Sequence, residues 1–344
     1  MANVVYLLGA GFSAPLGLPL IRNFLEKSKD QYESDPKRFT HFESVFETIR
    51  KISYATGTYV MDLNNIEEIL SVLEMDGFAG QVEHSKLFTD YISDVINHYT
   101  PPLREQALGQ MWQSNVLPAS PWDGYCLFLL FCQGIKLKQD GHDIKQQTGY
   151  RFESQAPPHN YSFITLNYDL VMETSARYMS TRHKVSISLS RPGDKATVQG
   201  AAQLRLAKLH GSVDTKTIVP PTWSKGALQH RIAGEWTLAH QLLSKAHHIR
   251  IVGYSLPEMD SYVRYLLRSA AVNSFYLKQI DVLCFDPDGA VKKRFDSFIH
   301  FPNYRFTNRT VESFFQGLLQ HHDRSFPEEI DSTQIERAHV RAML

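Results

Sequence analysis

Cysteine is scarce: Cys126, Cys132 and Cys284 are the only three in 344 residues. Three scattered thiols without a C-x-x-C pair form neither a disulfide framework nor a spaced metal-ligand set, so no metal is expected. Long apolar runs are missing as well. No stretch approaches the ~18 apolar residues of a membrane-spanning helix, and the first residues lack the basic flank and cleavage site of a secretory signal. Net charge is absent, with 36 Lys and Arg against 36 Asp and Glu. No broad basic footprint therefore argues for nucleic-acid binding. The expectation is a cytoplasmic protein with no membrane contact. At 43% hydrophobic and 21% charged, the chain has an ordinary globular composition, and its length allows two domains.

The stretch that organises the rest is Val4-Val5-Tyr6-Leu7-Leu8 followed by Gly9-Ala10-Gly11-Phe12-Ser13-Ala14. Five apolar residues in a row read as a parallel strand covered on both faces. The glycines after it suit a tight turn into a helix, with backbone amides aimed at a phosphate. A dehydrogenase-type unit would add a second strand ending in an acidic residue roughly 20 positions later. Here that region is polar and helical, which counts against hydride transfer.

From Arg22 the pattern stays helical for over a hundred residues. Phe42, Val45, Phe46 and Ile49 recur at helical spacing, as do Ile66, Ile69, Leu70 and Leu73 behind the cap candidates Asn64 and Asn65. Phe88, Tyr91, Ile92, Val95 and Tyr99 form a third stripe, stopped by Pro101-Pro102. A further apolar stretch covers Tyr125 to Ile135. Such stripes read as bundle core. Residues 139–160, with Gly141, Gly149 and Pro157-Pro158, read as a linker.

Strand and helix patterns then alternate. Strands are expected at Tyr161–Leu166, Val185–Leu189, Leu204–Leu209, Ile249–Val252 and Ile280–Phe285. Helices are expected at Ala227–His247, Glu258–Ala271 and Val311–Leu319, and a Gly- and Pro-containing loop carries Gly193 and Gly200. The fold class is α/β: a Rossmann-like, mainly parallel sheet with a large inserted helical domain. The expected domains are 1–22 with 158–322 around the sheet, 23–157 as the insertion with its linker, and 323–344 as a polar C-terminal tail that would order on a partner or in an oligomer. Several strands end in polar or glycine residues: Gly9-Ala10-Gly11, Asn167 and Asp169, His210, Gly253 and Ser255, and Asp286. Parallel strands would bring these ends to one edge, where open α/β sheets bind ligands.

GAGFSAPLGLPLIR, TLNYD, KLHGS and GYSLPEMD, in that order, resemble the sirtuin-like NAD-consuming family, most closely its bacterial antiphage-defence branch. NNIEEILSVLE and Pro220–Lys225 (PPTWSK) match that branch more loosely. The resemblance implies that Gly9, Ala10, Gly11 and Ser13 cradle the NAD pyrophosphate, while Arg22 lies over the nicotinamide-ribose side. It implies that Asn167 positions ribose and the attacking water, Asp169 recognises the carboxamide, and His210 is the base. Gly253 and Ser255 would contact the second phosphate and ribose, and Asp286 the adenosine ribose. NAD enters as substrate.

The residue types suit that chemistry. Nicotinamide leaves a cationic ring as a neutral amine, so the general acid of ordinary glycosidases is not required. A histidine titrating near neutrality can activate a hydroxyl or water. The departures from the protein-deacylase pattern concern the four-cysteine zinc ribbon, which three cysteines cannot build, and Leu20 and Leu166, which replace an aspartate and a glutamine. The expected function is an NAD+ glycohydrolase effector releasing nicotinamide and ADP-ribose. It would be a homo-oligomer triggered by a separate ATPase or nucleic-acid-sensing partner. Alternatives are an NAD-dependent protein deacylase and a non-catalytic NAD- or ADP-ribose-binding subunit. Plain structural roles compete at several positions: Asn167, Asp169 and Ser255 as helix caps, and Asp260 as a solvated helix residue outside the site. Lys292-Lys293-Arg294 reads as a solvated face, and His247-His248 and His321-His322 as surface histidines.

Overall fold

Every second residue of the first strand, β1 (Asn3–Leu8), enters a different core: Val4, Tyr6 and Leu8 on one face, Val5 and Leu7 on the other. In this computed structural model the described residues are 1–78, 85–106, 112–140, 149–194, 203–219, 229–258, 260–272, 274–319 and 328–344. Gly141, Gly200, the Pro220–Lys225 motif and His321-His322 lie outside them. Each fully buried aliphatic side chain of β1 contributes roughly 1.5–3 kcal/mol, which makes the central position the natural one for an unbroken apolar run.

Six strands join β1: β2 (Asn160–Thr165), β3 (Leu189–Ser190), β4 (Leu204–Lys208), β5 (His248–Val252), β6 (Gln279–Leu283) and β7 (Tyr304–Thr307). Together they form a seven-stranded sheet in the order β7-β6-β5-β1-β2-β4-β3, and every pairing is parallel. The α/β, Rossmann-like architecture is thus as the alternating pattern indicates. After β1 the chain builds β2 to β4 on one side, then crosses to build β5 to β7 on the other. The switch point falls between β1 and β5.

Besides the short helical segments Ala10–Ser13 and Trp112–Val116, the helices among the described residues are α1 (Phe24–Ser34), α2 (His41–Ser53), α3 (Ile66–Phe78), α4 (Ser85–Tyr99), α5 (Trp122–Gln133), α6 (Val171–His183), α7 (Gln229–Ser244), α8 (Ser261–Val272), α9 (Ala290–Phe298), α10 (Val311–Leu319) and α11 (Gln334–Met343). Helices α7, α8 and α9 bury Leu238, Leu243, Val263, Leu266 and Phe295 against Val5 and Leu7. The opposite face is covered by α5, α6, α10 and α11, and its core runs on without a break into α1 to α4. Helix α5 is apolar all round, with Gly124 through Gln133 buried, because it is sandwiched between the sheet and its neighbours. It covers the sheet directly, so packing does not change at the boundary expected at residue 157.

Three expectations need correction. The proposed linker contains structure: Ile135–Asp140 pairs antiparallel with Gly149–Ser154, and Glu329–Ile330 adds a third strand. Lys136 bridges Glu153 at 3.4 Å and Glu329 at 3.1 Å across this small sheet, so its polarity reflects an exposed face. The strand expected at Val185–Leu189 pairs only at Leu189–Ser190. The tail expected to await a partner forms α11, burying Ile335, Ala338 and Ala342. It is held by charges that the strands bury beneath it, with Glu336 accepting from Arg250 of β5 at 2.8 and 2.5 Å.

Candidate active site

The register of the sheet aligns the strand ends. Leu8 lies beside Thr165 and Val252, Thr165 beside Lys208, Val252 beside Leu283, and Leu283 beside Thr307. Whatever follows these residues in the chain must emerge along one edge. The candidate residues that follow them, except Gly9, line a single cavity of about 570 Å³. The rest of the lining includes Arg22 and, from the insertion, Phe24 of α1, Ile66, Glu67 and Leu70 of α3, and Ile92 and Ile96 of α4. The expected cap at α3 is present, Asn65 Oδ1 accepting the Glu67 and Glu68 amides at 3.0 and 3.3 Å.

Asn167 is buried, and its carboxamide donates to the Gly9 carbonyl and to Ser13 Oγ, both at 3.0 Å. Its Oδ1 is therefore left as the acceptor for anything in the cavity. His210 is 3% exposed, its ring 6.1 Å from that of Tyr168. Asp260, 2% exposed, sets Oδ1 3.8 Å from His210 Nε2 and takes the Tyr254 hydroxyl on Oδ2 at 2.8 Å. Burial, reinforced by that carboxylate, holds the Tyr254 phenol well above its ordinary range, so it stays a neutral donor. The reading of Asp260 as a solvated residue is overturned: the chain turns sharply after Pro257 and carries it inward. Burial also pushes the Cys284 thiol up to about 12, so this cavity-lining sulfur is no thiolate nucleophile at neutral pH.

Other expected roles meet competition. Gly9 N–H donates to the Val252 carbonyl at 3.1 Å and Gly11 N–H to the Gly253 carbonyl at 2.8 Å, so neither amide faces a phosphate. These glycines serve close approach instead. A Cβ on Gly9 would lie 2.6 Å from the Gly253 carbonyl oxygen, and one on Gly11 2.8 Å from Gly253 Cα. Asp169 Oδ1 accepts the Val171 amide at 3.1 Å at the start of α6, the capping role that competed for it. Asp286 accepts from the Val291 and Lys292 amides at 2.9 and 2.8 Å. Burial opposes its charge, but those amides hold the carboxyl below its usual range. It caps α9 with one bond on each oxygen and also lines the cavity, so its remaining lone pairs are the acceptors an adenosine ribose would meet there. Arg294 is not a solvated residue: it lines the cavity and donates Nε to the Ser255 carbonyl at 3.0 Å. Arg22 and Arg309 sit exposed at the rim. His247 and His248 are half-buried rather than superficial, His247 Nδ1 accepting the Asn3 amide at 3.0 Å and His248 stacking on His159.

Residues 161–299 match a family described as the SIR2-like domain. That stretch runs from β2 through α9 and contains Asn167, Asp169, His210, Gly253, Ser255, Asp260 and Asp286, but not the β1 turn. No curated protein matches the sequence. A crystal structure of SIR2 in complex with the inhibitor EX-527, 2′-O-acetyl-ADP-ribose and deacetylated p53 peptide is similar over 91% of this chain and 90% of its own. Its identity is 12% and the TM-score 0.33.

The residues that sequence spacing undervalued are Asp260, Glu67, Arg294 and Arg309. Asp260 and Glu67 stand inside quoted motifs, so their types were visible and their direction was not. No helix among the described residues is long and apolar enough to cross a membrane, and none of them group three or more His, Cys, Asp or Glu as a metal site.

Proposed function

We propose that the protein is an NAD+ glycohydrolase that releases nicotinamide and ADP-ribose, and that it acts as the NAD+-depleting effector of a bacterial antiphage defence system. The observation behind this reading is the meeting of Asn167 and His210 at the strand ends of a SIR2-like stretch, in one cavity. A volume of about 570 Å³ falls within the roughly 300–1,000 Å³ of small-molecule and cofactor sites. Asn167 Oδ1 accepts from a ribose hydroxyl or the attacking water, and His210 takes the proton. Cleavage leaves positive charge on the ribose. Glu67, Asp169 and Asp260 supply negative charge around the cavity, where buried charges act strongly on a developing cation. With the Gly9 and Gly11 amides engaged, the diphosphate falls to Arg294 and Arg309, while Arg22 keeps the nicotinamide-ribose side. Glycines at this turn then provide shape and arginines provide charge.

The effector role rests on the ordered motifs and brings a homo-oligomer and a separate ATPase or nucleic-acid-sensing trigger with it. In phage-challenged cells, wild-type protein should lower the NAD+ pool and Asn167→Ala should not. In vitro, nicotinamide release should drop by about 10²–10⁴ in His210→Ala and fall similarly in Asn167→Ala. If both variants retain turnover, the mechanism is wrong. Arg294→Ala and Arg309→Ala should each raise KM for NAD+ by about tenfold with little change in kcat, the loss expected of one charge-assisted contact. Nicotinamide riboside, which lacks the diphosphate, should not register the change.

A further inference from the structure

The structure assigns Asp260 as the positioning residue that selects the tautomer of His210, with Tyr254 as the clamp that aims it. This rests on the proposal that His210 is the base. A carboxylate only 2% exposed is costly unless its charge is met. One of its oxygens takes the Tyr254 hydroxyl at 2.8 Å, and the other faces Nε2 of an imidazole that is itself 3% exposed. At 3.8 Å the pair is longer than a hydrogen bond, as such pairs often are before substrate tightens them. Hydrogen bonds flank Asp260 on both sides. Its amide donates to the Pro257 carbonyl at 3.2 Å, its carbonyl accepts from the Arg264 amide at 3.4 Å, and Leu256 is held at φ 51°, with its own carbonyl taking Arg264 Nη2 at 3.1 Å.

The consequence concerns one proton. A carboxylate can only accept, so it places the imidazole hydrogen on Nε2 and leaves Nδ1 as the lone-pair nitrogen. Nε2 is sealed from solvent, whereas Nδ1 has no protein partner among the described residues of a side chain that lines the cavity. Nδ1 is then the atom that takes a proton from water or a ribose hydroxyl. In Asp260→Asn the Tyr254 hydroxyl keeps the carboxamide oxygen, so the amide NH₂ turns toward His210. That forces Nε2 to accept and moves the hydrogen to Nδ1. The base is lost although no side chain has been removed from the cavity.

The test is ¹⁵N NMR of the His210 ring in the full-length protein, beside steady-state kinetics. Wild type should show the Nε2–H tautomer at neutral pH. Asp260→Asn should show Nδ1–H, with kcat lower by about 10²–10⁴ and KM for NAD+ changed by less than about threefold. Tyr254→Phe should keep Nε2–H. The double variant Asp260→Asn with Tyr254→Phe should regain at least about tenfold in kcat over Asp260→Asn, because the carboxamide can then rotate its oxygen to His210. A purely structural role for Asp260 predicts no such recovery. Wild-type protein in the Nδ1–H tautomer overturns the assignment on its own, even if Asp260→Asn fails to fold. Equal kcat in wild type and Asp260→Asn also overturns it. A tautomer switch without any nicotinamide release would leave the pair standing and remove the NAD+ reading instead.

Discussion

Gly253 shows how a single residue governs the site. It sits at φ 65° and a Cβ there would lie 2.3 Å from the Phe12 amide nitrogen. The left-handed conformation alone costs a non-glycine residue roughly 1–2 kcal/mol, and the backbone clash adds to it. Gly253→Ala should therefore destabilise the protein by more than about 2 kcal/mol and weaken NAD+ binding together with stability. An unchanged unfolding midpoint would show that the two loops do not bear on each other. The same contact accounts for where the Gly9 and Gly11 amides point. Residue spacing announces a tight turn between strand and helix. Where its amides point depends on β5, which comes much later in the chain and supplies the carbonyls of Val252 and Gly253 as acceptors.

Among the elements, α11 changes most between sequence and structure. Its composition is polar because it faces a row of charges across three strands. Arg250 of β5 lies beside Asp281 of β6, and Asp281 beside Arg305 of β7. Glu336 pairs with Arg250, and His339 Nε2 meets Asp281 at 2.8 Å. Burial opposes the charge on Glu336, but the Arg250 guanidinium wins and draws the carboxyl from an ordinary 4.5 to about 2. Stability from this pair is complete above about pH 4.5 and disappears as the pH falls toward 2. Burial, with Arg250 assisting, also lowers His339, His248 and His159 from the ordinary 6.5. Below pH 6.5 the unfolded chain binds protons that these folded histidines refuse, which again removes stability on acidification. The urea midpoint should fall steadily from pH 7.5 to pH 4, and a flat or rising profile would contradict the assignment. Glu336→Gln leaves Arg250 buried and uncompensated at 5% side-chain exposure. It should cost about 3 kcal/mol, well beyond the 0–1 kcal/mol of a surface pair.

At the scale of the whole molecule, the insertion and the sheet share one core and one cavity. Ile66, Glu67 and Leu70 of α3 and Ile92 and Ile96 of α4 close the space above the strand ends. A ligand bound there touches both parts. Hydrogen exchange on Asn167→Ala, chosen so that NAD+ is bound but not consumed, should show protection at residues 66–73 as well as at 9–14 and 253–258. Protection confined to the strand ends would separate the insertion from the site.

Elements whose period is unambiguous follow from residue order alone. Apolar runs ending in polar residues become parallel strands because only a sheet covered on both faces can bury them, and the ordered motifs carry Asn167 and His210 with them. Direction was decided only in three dimensions. Asp260 and Asp286 look alike in the chain, yet one is turned toward His210 and the other folds back to cap α9. Arg294 follows two exposed lysines but faces the cavity. A side chain's type is local information. The group that satisfies its charge or hydrogen bond is supplied by distant strands, as Val252 and Gly253 show where their carbonyls take the Gly9 and Gly11 amides.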